Sequence, residues 1–122
     1  MTDDRQRREG RGRKAESLAA FALRLKGYRV LARRLRTPAG EIDLIVRRGA
    51  TIAFVEVKAR ATRGAAASSV STAQRRRIVR AAAHYIAANP GFGALTHRFD
   101  AVLIVPRRWP IHVINAWSES GE

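Results

Sequence analysis

Two apolar runs, residues 41–47 and 51–59, flank the dipeptide Gly49-Ala50. Successive side chains of a strand point to opposite faces of its sheet. In the first run Ile42, Leu44 and Val46 share one face, and Glu41, Asp43 and Ile45 the other. In the second, Ala53, Val55 and Val57 oppose Ile52, Phe54, Glu56 and Lys58. Both faces of both runs carry apolar residues. A sheet built from them must therefore be covered by helices on both sides. Gly49-Ala50 has the Gly-X form of a two-residue hairpin loop. If Arg48 faces Thr51, Asp43 lies opposite Glu56 and Glu41 opposite Lys58, with Cβ atoms about 5 Å apart on the same side of the sheet.

The rest of the chain supplies the covering layers. Apolar residues recur at Ala15, Leu18, Ala19, Ala22 and Leu25, which predicts a helix over residues 13–26 that Gly27 ends. Residues 28–35 read as a strand and Thr37-Pro38-Ala39-Gly40 as a turn. Residues 61–70 are small and polar and read as a mobile loop. Ser71-Thr72-Ala73-Gln74 has the form of a capping box. Ile78, Val79, Ala82, Tyr85 and Ile86 then form the buried stripe of a helix that Asn89-Pro90-Gly91 terminates. Residues 98–105 and 111–115 are strands. The strand–helix–strand step from Val57 to Val102 demands a parallel pair. The expected fold is a single α/β domain, a sandwich with a mixed central sheet flanked by helices, in the order αβββαββ. Residues 1–12 read as a flexible basic tail, 13–117 as the domain, and 118–122 as a C-terminal tail.

Composition narrows the function classes. The 122 residues suffice for one domain. Cysteine is absent, which excludes disulfides, cysteine-ligated metals and a cysteine nucleophile. No apolar run approaches the ~18 residues of a membrane span, and the N-terminus lacks the apolar core of a secretory signal. A soluble cytoplasmic protein with no membrane partner is expected. The 24 lysines and arginines against 10 acidic residues give a net charge of +14. A field of that sign attracts polyanions, nucleic acid above all. Outside the expected tails the acidic residues are Glu16, Glu41, Asp43, Glu56 and Asp100. The bland reading of such a set is salt bridges to neighbouring arginines. Asp100, beside Arg98, is read that way. His84, His97 and His112 share no metal-ligand spacing, and Trp109 and Trp117 read as packing residues.

Asp43 and Glu56 facing each other form a hard-oxygen site of the kind Mg²⁺ or Mn²⁺ takes, with one or two carboxylates plus waters and phosphate oxygens. Lys58 points to the same side, as a compact cation suited to a phosphodiester transition state. Metal-assisted phosphodiester hydrolysis needs those parts. The arginines would hold the nucleic-acid backbone.

These residues also resemble a known pattern. Gly40-Glu41-Ile42-Asp43 followed by Glu56-Val57-Lys58 resembles the PD-(D/E)xK nuclease signature. With Glu16, Gly27-Tyr28, Leu44-Ile45, Phe54-Val55, Arg60 and Arg98-Phe99-Asp100, the chain is similar to the bacterial YraN-like family over about residues 13–117. That family is similar in turn to archaeal Holliday junction resolvases. The resemblance implies a restriction-endonuclease-like fold and a metal-dependent endonuclease acting on DNA, including branched DNA. It implies Asp43, Glu56 and Glu16 as metal ligands and Lys58 as the catalytic lysine. Glu41 would support the site or pair with Lys58. Arg60, Gln74, Arg75, Arg76 and Arg77 would contact nucleic acid, and a homodimer would allow paired cuts. Three positions depart from the family pattern: Ala15 replaces a usual glycine, Arg34 an asparagine and Gln74 a lysine. The alternative is a non-catalytic nucleic-acid-binding module that keeps the nuclease fold.

Overall fold

A computed structural model describes residues 2–122, with side chains from residue 12 onward. The elements are α1 (Thr2–Leu25), β1 (Arg29–Thr37), β2 (Gly40–Arg48), β3 (Thr51–Ala59), α2 (Arg63–Ser68), α3 (Thr72–Ala88), a 3₁₀ turn (Pro90–Phe92), β4 (Thr96–Ile104) and β5 (Ile111–Trp117). The predicted first helix is thus the later part of a helix that begins at Thr2. Arginine, glutamine, glutamate and lysine all extend a helix at little cost. Side chains of the expected tail, up to residue 11, lie outside the described ones.

One mixed sheet in the order β1-β2-β3-β4-β5 forms the centre. β3 and β4 are parallel, with Val57 opposite Val102, and the other neighbours are antiparallel. The hairpin register is the expected one from Arg48–Thr51 to Leu44–Val55. Helices cover both faces. Ala19, Ala20 and Leu23 of α1 pack on Leu44, Val46, Ala53 and Val55. Ile78, Ala81 and Ala82 of α3, with Ala66 of α2, pack on Ile42, Ile45, Phe54 and Leu103. Among the described residues no helix is long and apolar enough to cross a membrane.

The structure corrects three expectations. Strict alternation put Ile42 on the face of Leu44, yet Ile42 packs on the α3 side and Leu44 on the α1 side. The alternation slips at Asp43, which has no ladder partner in either neighbouring strand. Residues 61–70 contain α2 rather than a loop only. Thr62 caps that helix by accepting from the Ala65 N–H, and Ala66 and Val70 are buried. A single turn and a half of Arg63, Gly64, three alanines and Ser68 carries too little periodicity to show it. Residues 118–122 turn back on α3, where Gly121 is buried with φ +86°. A Cβ there would meet Arg76 Cγ at 2.8 Å. Gly121→Ala is expected to cost about 1–2 kcal/mol in thermal unfolding.

A candidate metal centre at the parting of β2 and β3

The site begins where the β2–β3 ladder stops. Beyond Leu44–Val55, a continued ladder would carry the Val57 N–H into the backbone of β2. Instead the Asp43 side chain takes it, with Oδ2 accepting from Val57 N at 2.8 Å. The two strands therefore part at Asp43. Across β1, the missing ladder partner of Asp43 is Arg34, whose φ is +50°. A non-glycine residue there costs roughly 1–2 kcal/mol.

Parting the strands opens a cavity of about 440 Å³ lined by Gly12, Glu16, Asp43, Glu56, Lys58 and Arg60, among others. Glu56, 5% exposed, accepts from Gln74 Nε2 at 3.0 Å and pairs with Lys58 Nζ at 3.2 Å, both through Oε1. Asp43 and Glu56 line the same cavity, and each acts on the other's ionisation. Burial first, and then the Asp43 charge, pushes Glu56 up to about 8, against the opposing pull of Lys58. Burial also raises Asp43, with a smaller contribution from Glu41, although the Val57 N–H, Glu56 and Lys58 act the other way. Two carboxylates that share one cavity and repel each other cannot both ionise cheaply.

A divalent cation would relieve that repulsion. The donor set fits a hard cation, being two carboxylates open to a cavity with room for water. Among the described residues, no three metal-ligating side chains come together. Glu16 lines the same cavity, but both of its oxygens accept from Arg34 Nε, at 2.9 and 2.8 Å.

Other expected site residues are dispersed. Glu41 does not pair with Lys58. Because β2 and β3 have parted, it faces Arg36 of β1, at 3.6 Å. Of the run that opens α3, only Gln74 reaches the carboxylates. Its side chain turns to Glu56, while Ser71 caps the helix by accepting from the Gln74 N–H. The Arg75 guanidinium lies 5.8 Å over the Trp117 ring. Arg76 packs on Gly121, and Arg77 on Gly40. Arg60 lies at the cavity, with Nη1 donating to the Ala59 carbonyl at 2.7 Å.

Asp100 belongs to a separate, structural cluster. It is fully buried and accepts from Arg98 Nε and Nη2 and from the Asn115 N–H, with His112 Nε2 at 2.7 Å. Burial raises its carboxyl, but these hydrogen bonds outweigh burial and hold it below the usual range. The Arg98–Asp100 pair and Trp117, stacked on Phe99, are packing features, as the bland reading had it.

The arrangement around Asp43 can be set against known proteins. The model of the uncharacterised protein family UPF0102 matches residues 15–104. The chain belongs to that family. A UPF0102 protein of Parvibaculum lavamentivorans is 61% identical, over 87% of this chain and 80% of its own. One from Chelativorans sp. is 54% identical over 93% of this chain and 92% of its own. A third, from Maricaulis maris, is 52% identical over 96% and 92%. The span matched to UPF0102 holds every residue lining the cavity except Gly12, and it also holds Arg34 and Gln74.

Proposed function

We propose that this UPF0102 protein is a metal-dependent endonuclease that hydrolyses DNA phosphodiester bonds, those of branched DNA included. One observation carries the reading. Asp43, partly buried, and Glu56, buried, line one open cavity, both with raised carboxyl pKa values, beside the Lys58 ammonium. Such an acidic pair on a chain of net charge +14 weakens polyanion binding unless a cation bridges the two. The likeness to the PD-(D/E)xK signature and to archaeal resolvases supports the same conclusion.

Asp43 and Glu56 would hold Mg²⁺ or Mn²⁺. When bound, the ion supplies charge neutralisation at the phosphate and a more acidic water. The chain's own groups do the rest. The Val57 N–H fixes the Asp43 carboxylate, and Gln74 fixes Glu56. Lys58 Nζ, anchored by Glu56, stabilises the extra negative charge on the phosphoryl oxygens as water attacks. Arg60 contacts the backbone at the cavity edge. Self-association of two chains fits paired cuts in a branched substrate.

Gln74→Ala removes a hydrogen bond that holds Glu56 and should lower the cleavage rate about 10–100-fold without loss of fold. The reading itself is tested with labelled single-stranded, duplex and four-way-junction DNA, in Mg²⁺, Mn²⁺ or EDTA. Cleavage that needs metal and vanishes in Asp43→Ala is the expected result. Salt-sensitive DNA binding that persists in Asp43→Ala, with no metal-dependent cleavage by the natural protein, would instead establish the non-catalytic binding module.

A further inference from the structure

Arg34 has more hydrogen-bonding capacity than the described residues use. Its Nε serves both oxygens of Glu16, at 2.9 and 2.8 Å. Among the described residues, neither Nη nitrogen has a protein partner, and neither is a buried unsatisfied atom. The side chain is 36% exposed, so the free edge of the guanidinium meets solvent. Arg34 is not itself a lining residue of the cavity, but one corner of that edge stands next to it. A Cβ on Gly12, which lines it, would sit 3.8 Å from Arg34 Nη2.

The backbone is committed to this placement. Arg34 holds φ +50° inside a strand, at the ladder position facing Asp43. Asparagine tolerates that conformation better than arginine does. An ion pair with a half-exposed partner adds too little to explain why arginine should stand there. A guanidinium with a free fork, beside a cavity lined by carboxylates and a lysine, has the chemistry of a phosphate clamp.

We infer that Arg34 binds a backbone phosphate of the nucleic acid next to the one that is cut, and that Glu16 is its positioning residue rather than a metal ligand. The inference rests on the nuclease reading of the cavity. Glu16, 7% exposed, takes the Nε edge and leaves both Nη groups without a protein partner among the described residues. The carboxylate that resembles a third metal ligand is thereby occupied.

Two titrations of the full chain test this. In EDTA, where no metal-dependent cut occurs, DNA binding is followed by fluorescence anisotropy over a range of salt concentrations. In Arg34→Asn, which suits the backbone at this position, the slope of log K against log salt should fall in magnitude by about one, uniformly across sequences. Glu16→Ala should show the same fall, because the fork is no longer held. Glu16→Gln, which can still accept from Nε, should keep the natural slope. Calorimetric titration with Mn²⁺ should give natural affinity for Glu16→Gln and Arg34→Asn, and none for Asp43→Ala. An unchanged slope in Arg34→Asn overturns the phosphate contact. Loss of Mn²⁺ affinity in Glu16→Gln overturns the positioning role and makes Glu16 a ligand. Failure of the natural protein to bind either Mn²⁺ or DNA would instead remove the nuclease reading on which the inference stands.

Discussion

Glu56→Gln should melt higher than the natural protein at pH 8 in EDTA, and it should not cleave DNA. Burial and the Asp43 charge raise Glu56 from 4.5 to about 8 in the folded protein. Between those values the folded chain holds a proton that the unfolded chain has released. The stability this gives is fully present below about pH 4.5 and is lost as pH rises towards 8. Asp43, also raised, acts in the same direction. Glutamine is neutral throughout. Its amide oxygen can still accept from Gln74 and Lys58. The gain at pH 8 should be on the order of a few kcal/mol, at roughly 4 °C per kcal/mol for a domain of this size. At pH 5 most of the difference should disappear. Melting curves at the two pH values check this. Equal melting temperatures at pH 8 would mean that Glu56 is not held protonated by its surroundings. A substitution that stabilises the fold while removing activity marks a site kept at the expense of stability.

Lys58→Met should lower metal-dependent cleavage about 10²–10³-fold, the usual loss for one transition-state donor. Methionine keeps the apolar stem of this side chain, which is 17% exposed, and removes only the ammonium. DNA binding in EDTA should weaken by no more than a single phosphate contact would. Lys58→Arg should not restore the rate. A planar fork cannot take the place of a compact point charge 3.2 Å from Glu56 Oε1. Single-turnover rates with metal, beside anisotropy without it, separate the two effects. Equal losses in binding and in rate would make Lys58 a backbone contact only.

The fold was legible in the sequence wherever a pattern repeats. The hairpin register followed from Gly49-Ala50, the parallel β3–β4 pair from a strand–helix–strand step, and α3 from its apolar stripe. Burial on both faces of β2 and β3 followed from their doubly apolar character. The same alternation rule placed Asp43 and Glu56 together, but for an incomplete reason. It assumed an unbroken ladder, whereas Asp43 ends the ladder by capturing the Val57 N–H with its side chain. Nothing in a two-residue period announces such a break, so the positions of Ile42 and Glu41 were misjudged. Side-chain partners chosen by tertiary contact were equally hidden. Gln74 signals a capping residue in sequence, yet its side chain goes to Glu56. Arg34 stood out only as a departure from a family pattern, and its φ of +50° has no signature in an arginine-rich strand.

The central claim is that Asp43 and Glu56 together hold a divalent cation. It is tested most directly by adding substoichiometric Mn²⁺ to the ¹⁵N-labelled protein and reading paramagnetic broadening of the backbone amides. The expected result is selective loss of the Val57 and Lys58 signals, with Thr51 at the far end of β3 unaffected, and no such loss in Asp43→Ala. Broadening that spares Val57, or that is the same in Asp43→Ala, would contradict it.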